Sequence, residues 1–177
     1  MNSYKLDYYI FLDELNEKII KNIKNFKKKT KLKVIISKKN FSSILAFAKK
    51  NKISYFITDN AKLAIKHKAH GIFITSKNKN LSSIPKNAHK IEIIGSAHNQ
   101  YEYFIKEKQQ CSTIFLSPIF YNKKYTLNKI LHLTKFNLIT LNWKKRIGAL
   151  GGINHKNFKL ISLTKAKCVG VKSLIER

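Results

Sequence analysis

The chain has 177 residues, enough for one domain with a sizeable core, and 36 Lys and Arg against 9 Asp and Glu give it a formal charge of +27. No uninterrupted apolar run approaches the ~18 residues of a membrane span, and Met1-Asn-Ser-Tyr-Lys-Leu-Asp7 lacks the basic-then-apolar layout of a signal peptide, so a soluble, cytoplasmic protein without a membrane partner is expected. Only Arg146 and Arg177 are arginine, the residue that reads phosphates and base edges bidentately; the charge therefore reads as a diffuse lysine coat alongside 17 Asn, with no specific nucleic-acid surface. Its field still attracts anionic substrates.

Along the chain, short β-branched or aromatic runs alternate with Lys-rich segments of helical character. Tyr8–Leu12 is the first run, and Lys24–Thr30 reads as a solvated helix end. Lys33–Ser37 follows, and then Phe41, Ile44, Leu45 and Ala48 fall three and four apart, as one buried helical stripe requires. Ser54–Thr58 leads into a second helical pattern over Ala61–Ile65. Gly71–Thr75, Ile91–Gly95 and Ser112–Ser117 are the next three runs. A longer connection, Tyr121 to Lys145, carries Leu127, Ile130, Leu131 and Leu133 and is the natural place for a lid or active-site loop. Arg146–Leu150 and Lys167–Val171 complete eight. Eight such units predict an α/β fold, a compact (β/α)8 barrel filling residues 1–177 as one domain, with helices trimmed against the ~250 residues of a typical barrel. Cys111 and Cys168 lie at the starts of runs without a CxxC partner, and are expected to be buried thiols.

Barrel enzymes place their chemistry where the strands end. Those positions are rich in groups that favour anions: Ser37, Lys38 and Lys39; Thr58, Asp59 and Asn60; Thr75 to Asn78; Ser96, His98 and Asn99; Ser117 and Tyr121-Asn122-Lys123-Lys124-Tyr125. Which of Lys38 and Lys39 faces inward is open, since one residue of shift exchanges the faces of a strand. The last two ends carry Gly151-Gly152 and Lys172-Ser173, where backbone N–H groups, an ammonium and a hydroxyl suit one phosphate. A tight turn alone explains the glycine pair equally well. Asp59 serves either a ligand or the cap of the following helix.

Taken in order, these segments resemble the thiamine phosphate synthase and thiazole tautomerase family. The likeness runs from about residue 8 to 177 and rests on Thr58-Asp59-Asn60 with Ala61-Lys-Leu-Ala64 and Ala69-His-Gly71-Ile, on Ile94-Gly-Ser-Ala-His98, on Ser117-Pro-Ile-Phe120 and on Ala149-Leu-Gly-Gly-Ile-Asn154. For the synthase, the resemblance implies joining a hydroxymethylpyrimidine pyrophosphate to a thiazole phosphate with loss of pyrophosphate. Gly151, Gly152 and Ser173 would hold the thiazole phosphate, Lys39 and Lys123 or Lys124 would face the pyrophosphate, and Asp59 would hold Mg2+. Ser37, Lys38, Thr58, Ser96, Ser117, Asn122 and Lys172 complete the expected substrate contacts.

Several positions depart from the family pattern. Its Gln-x-Arg-x-Lys becomes Ile35-Ile-Ser37-Lys-Lys39, so Ser37 stands at the arginine position. Its second metal carboxylate falls at or near Asn78, and the lysine after the sixth strand is displaced by one. Either extra lysines take over part of the metal's neutralising role, or synthase chemistry is lost and a phosphate pocket remains. The tautomerase branch implies proton transfer by a base at the fifth strand end, where His98 stands. Small phosphorylated molecules are the expected partners in each case, and a non-catalytic binder of thiazole or thiamine phosphates is the reading from a different class.

Overall fold

Residues 6–27, 31–81, 91–123 and 125–172 are described by a computed structural model in which eight parallel strands close into a barrel in sequence order, β1 pairing with both β2 and β8. The strands are β1 (Asp7–Leu12), β2 (Leu32–Ile36), β3 (Ser54–Thr58), β4 (Gly71–Ile74), β5 (Glu92–Ala97), β6 (Thr113–Leu116), β7 (Arg146–Leu150) and β8 (Cys168–Val171). Among the described residues five helices lie between them, α1 (Glu17–Lys27), α2 (Phe41–Lys50), α3 (Ala61–Lys66), α4 (Gln100–Lys108) and α5 (His132–Ile139). Short 3-10 turns at Leu127–Lys129 and Phe158–Leu163 stand in the last two crossovers. The connection from Tyr121 to Lys145 holds the first of these turns and α5, with Ile130, Leu131 and Phe136 buried and Leu127 exposed.

Period two decides what fills the barrel. Inward-facing Tyr9, Ile35, Phe56, Phe73, Ile94, Phe115 and Cys168 form one cluster, a residue from every strand but β7. At β7 the corresponding position is Gly148, where an added Cβ would lie 2.4 Å from the Phe115 ring. The missing side chain leaves room for that ring. Outward-facing Ile10, Val34, Ile57, Ile72 and Ile114 pack against the helices, among them Ile44, Leu45 and Ala48 of α2. Complete burial of each such aliphatic side chain contributes about 1.5–3 kcal/mol. Phe41 is only half-buried, at the edge of that stripe.

Polar residues close the amino-terminal end. Lys33 Nζ donates to Tyr9 Oη at 2.8 Å and meets Glu92 at 3.4 Å, and Arg146 pairs with Asp7 at 2.9 Å. This end is bound to itself, which leaves the carboxyl ends of the strands for ligand chemistry. Cys111 and Cys168 are free buried thiols. Among the described residues, no helix is long and apolar enough to cross a membrane.

Candidate active site

The carboxyl ends of β3, β4 and β5 are tied together by hydroxyls and one carboxylate. Asp59 has a left-handed backbone (φ 49) that turns its side chain away from α3, and Asn60 caps that helix instead, accepting from Leu63 N at 2.9 Å. The two roles open to Asp59 are thereby separated onto two residues. The Asp59 carboxylate accepts from Thr75 N at 3.0 Å, Thr75 Oγ1 at 2.6 Å and Asn78 Nδ2 at 3.0 Å. Next to it, buried Ser96 Oγ accepts from Ser76 N at 3.0 Å.

Asn78 thus stands against Asp59, where the family pattern has a second carboxylate. These residues do not fit a resident Mg2+, which is held by carboxylates and phosphates in near-octahedral geometry. Both Asp59 oxygens already accept from protein donors, and Asn78 turns its amide N–H toward the carboxylate. Among the described residues, no group of three His, Cys, Asp or Glu side chains is placed to hold a metal.

Behind this loop lies Lys106 of α4, completely buried, with Nζ donating to Thr75 O (2.8 Å), Asn78 O (2.7 Å) and Gln109 Oε1 (2.8 Å). Burial pushes its ammonium below the ordinary lysine value, while Cys111, Asp59 and Glu102 act in the opposite direction. Sequence reasoning missed Lys106. Its one signal is the three-residue spacing from Tyr103, which places both on the buried face of α4.

His98 directly follows β5 and carries a second arrangement. Asn99 caps α4 by accepting from Glu102 N, and Glu102, three residues on, turns its carboxylate back onto His98, accepting from His98 N at 2.7 Å and meeting Nδ1 at 3.0 Å. The other ring nitrogen lies 3.1 Å from Tyr125 Oη. Burial raises the Tyr125 phenol above its ordinary value, and the Glu102 charge adds to this, so near neutrality Tyr125 keeps its proton. A phenol that keeps its proton can donate to Nε2, which leaves Nδ1 as the ring nitrogen that donates to Glu102. His98, Glu102 and Tyr125 line a cavity of about 460 Å3, together with Pro118, Lys129 and Lys135. Glu102, Lys129 and Lys135 were not expected from sequence, because helical or loop lysines and acids look alike in so charged a chain.

The remaining expected residues divide by position. Ser37, Lys38 and Thr58 line a smaller cavity of about 310 Å3 with Phe41 and Asn60, whereas Lys39 is exposed on the turn before α2. Ser117 is buried, its backbone N–H bonded to Ala97 O. Gly151 and Gly152 both have positive φ (91 and 74) and sit against the segment after β6; Phe120 N donates to Gly151 O at 3.1 Å. A Cβ on Gly151 would lie 2.9 Å from Pro118 Cα and 3.6 Å from Asn122 Nδ2. The glycine pair therefore serves close loop packing and brings Asn122 beside the end of β7, while Lys123 is exposed. Lys172 pairs with Asp13 at 2.5 Å across the ends of β8 and β1. Lys124 and Ser173 lie outside the described residues.

The sequence profile described as thiamine monophosphate synthase matches residues 20–175. The chain belongs to the thiamine monophosphate synthase family. No curated protein matches it. Among solved structures it is similar to a thiamine phosphate pyrophosphorylase from Pyrococcus furiosus, at a TM-score of 0.74 and 15% identity, over 98% of this chain and 91% of that one. It also resembles a 3-keto-L-gulonate-6-phosphate decarboxylase from Vibrio cholerae (TM-score 0.63, 12% identity, 95% and 88% covered). The YdjI aldolase from Escherichia coli K12 is a third (0.62, 11%, 96% and 76%). At these identities the structural likenesses show the barrel fold alone. They leave the reaction to be argued from the site.

Proposed function

We propose that this member of the thiamine monophosphate synthase family joins a hydroxymethylpyrimidine pyrophosphate to a thiazole phosphate and releases pyrophosphate. The C–O bond to pyrophosphate breaks with its electron pair leaving on oxygen, and the thiazole nitrogen forms the new C–N bond to the exposed pyrimidine methylene. Such a reaction asks the protein to align two anions and to neutralise the departing one. The observation that carries the reading is the meeting of Asn122 with Gly151, which sets the lysine-bearing segment after β6 beside the glycine pair after β7. In this reading Gly151 and Gly152 face the thiazole phosphate, and Lys123, Lys124 and Lys38 or Lys39 supply positive charge toward the pyrophosphate. Ser37, Thr58 and Ser117 supply hydroxyls at the rim.

The test is incubation of purified protein with both phosphorylated halves, with and without Mg2+, followed by chromatography for thiamine phosphate. Product above the protein-free control supports the proposal. Absence of product with retained binding of thiazole phosphate refutes it in favour of a binding protein.

A second reading is favoured by one observation, the His98 ring fixed between Glu102 and Tyr125 in a cavity that also carries Lys129 and Lys135. There His98 would move a proton on a carboxythiazole phosphate, with the lysines holding its anionic groups. If Asp59→Ala leaves turnover unchanged and His98→Ala abolishes it, proton transfer becomes the better account.

A further inference from the structure

We infer that Lys106 is the resident cation of the Asp59 site, a side-chain ammonium that holds the β4 end in place and leaves Asp59 to act as a hydrogen-bond acceptor closed to divalent metal. The loop after β4 is gripped from both sides. On its outer side, Lys106 spends all three N–H bonds on Thr75 O, Asn78 O and Gln109 Oε1, and the Gln109 amide donates to Asn78 O at 3.0 Å and Asn80 O at 3.1 Å. On its inner side the same loop offers Thr75 N, Thr75 Oγ1 and Asn78 Nδ2 to Asp59.

Each half depends on the other. Drawing the two carbonyls outward onto an ammonium fixes the loop so that the adjoining N–H and side-chain donors face inward. Asn78 Oδ1, the one atom of that side chain able to ligate a cation, accepts from Asn80 N at 3.1 Å. A divalent ion would have to displace donors from Asp59 and reverse the Asn78 amide, and the Asp59 charge already reaches Lys106, where it favours the ammonium form against burial. Two buried polar side chains, Lys106 of α4 and Gln109 at its C-cap, are satisfied by this one loop and by each other, an arrangement that general helix packing does not require.

Two measurements test the inference, and neither reads turnover, so failure of the synthase assay leaves it standing. Mn2+ alone, titrated into the purified chain and followed by electron paramagnetic resonance, should give no stoichiometric bound-ion signal. A stoichiometric site that disappears in Asp59→Asn would overturn it. In Lys106→Met, which keeps the aliphatic stem, the Thr75 amide should lose about tenfold in hydrogen-exchange protection, the scale of one charge-assisted hydrogen bond. The Ile72 amide, held in the ladder between β3 and β5, should keep its protection. Unchanged protection at Thr75 would reduce Lys106 to a packing residue and sink the inference. Should Lys106→Met fail to fold, the Mn2+ titration of the unaltered chain still decides.

Discussion

Gly152→Ala probes the loop contact on which the site depends. Gly152 has φ +74, and a Cβ there would stand 2.2 Å from Phe120 O, 2.5 Å from Phe120 C and 2.6 Å from Tyr121 O, all of them backbone atoms that cannot rotate aside. The left-handed conformation costs an L-residue about 1–2 kcal/mol, and forcing the packed loop apart costs roughly a further 1–3 kcal/mol. Together these give a loss of about 2–5 kcal/mol, which for a domain of this size lowers Tm by roughly 4–20 °C. Gly151→Ala should cost less, because its Cβ meets Pro118 Cα and Cβ at 2.9 and 3.0 Å, distances a small shift relieves. Thermal melts by circular dichroism at matched protein concentration check both. The displaced segment continues into Asn122 and Lys123, so Gly152→Ala should also lose synthase turnover at temperatures where it remains folded. A Gly152→Ala protein melting within about 2 °C of the parent, less than 1 kcal/mol at this size, would refute the placement of the segment after β6.

Three further outcomes are expected. Burial pushes the Cys111 and Cys168 thiols up to about 12 from an ordinary value of 9.0, so a thiol reagent at pH 8 should label neither in the folded chain and both in urea. A group raised in the folded state stabilises fully below its unfolded pKa and loses that contribution as pH climbs through the folded value; urea midpoints should therefore fall between about pH 9 and 12, by less in a Cys111→Ala, Cys168→Ala protein. Lys172→Ala should cost under about 1 kcal/mol in urea melts despite the short contact to Asp13, because both partners are about two-fifths exposed. Lys129→Ala with Lys135→Ala should weaken inorganic phosphate binding measured by calorimetry and flatten its salt dependence, because both lysines line the His98 cavity.

The barrel is legible in the sequence wherever strand chemistry is strong. The runs Ser54–Thr58 and Arg146–Leu150 coincide with β3 and β7. Where the chain departs from β-branched and aromatic residues, the boundaries move. The run Ile91–Gly95 is in fact Glu92–Ala97, because Gly95, Ser96 and Ala97 carry little strand propensity of their own and are kept extended by pairing with Ile114, Phe115 and Leu116 of β6. Tertiary pairing supplies what local propensity lacks. That extension matters for function, because it places Ser96 inside the barrel wall and His98 at its rim.

The site is legible to the extent that it is made by strand parity. Ser37, Thr58, Ser96 and Ser117 are readable as end positions because a strand alternates its faces, and Gly151-Gly152 because only glycine suits two successive positive φ angles. What parity cannot reveal is which partner each residue takes. Asp59 and Asn60 are adjacent and both suit a helix cap; the left-handed turn at Asp59 gives the cap to Asn60 and the inward position to the carboxylate. Lys106 is harder still, one lysine in a chain with 36 basic residues and on a helix whose other lysine, Lys108, is exposed. It becomes distinct only through contacts 28 and 31 residues away in sequence, with Asn78 and Thr75. A lysine coat conceals Lys106, the one buried lysine among the described residues and the group that on our inference stands where a metal would.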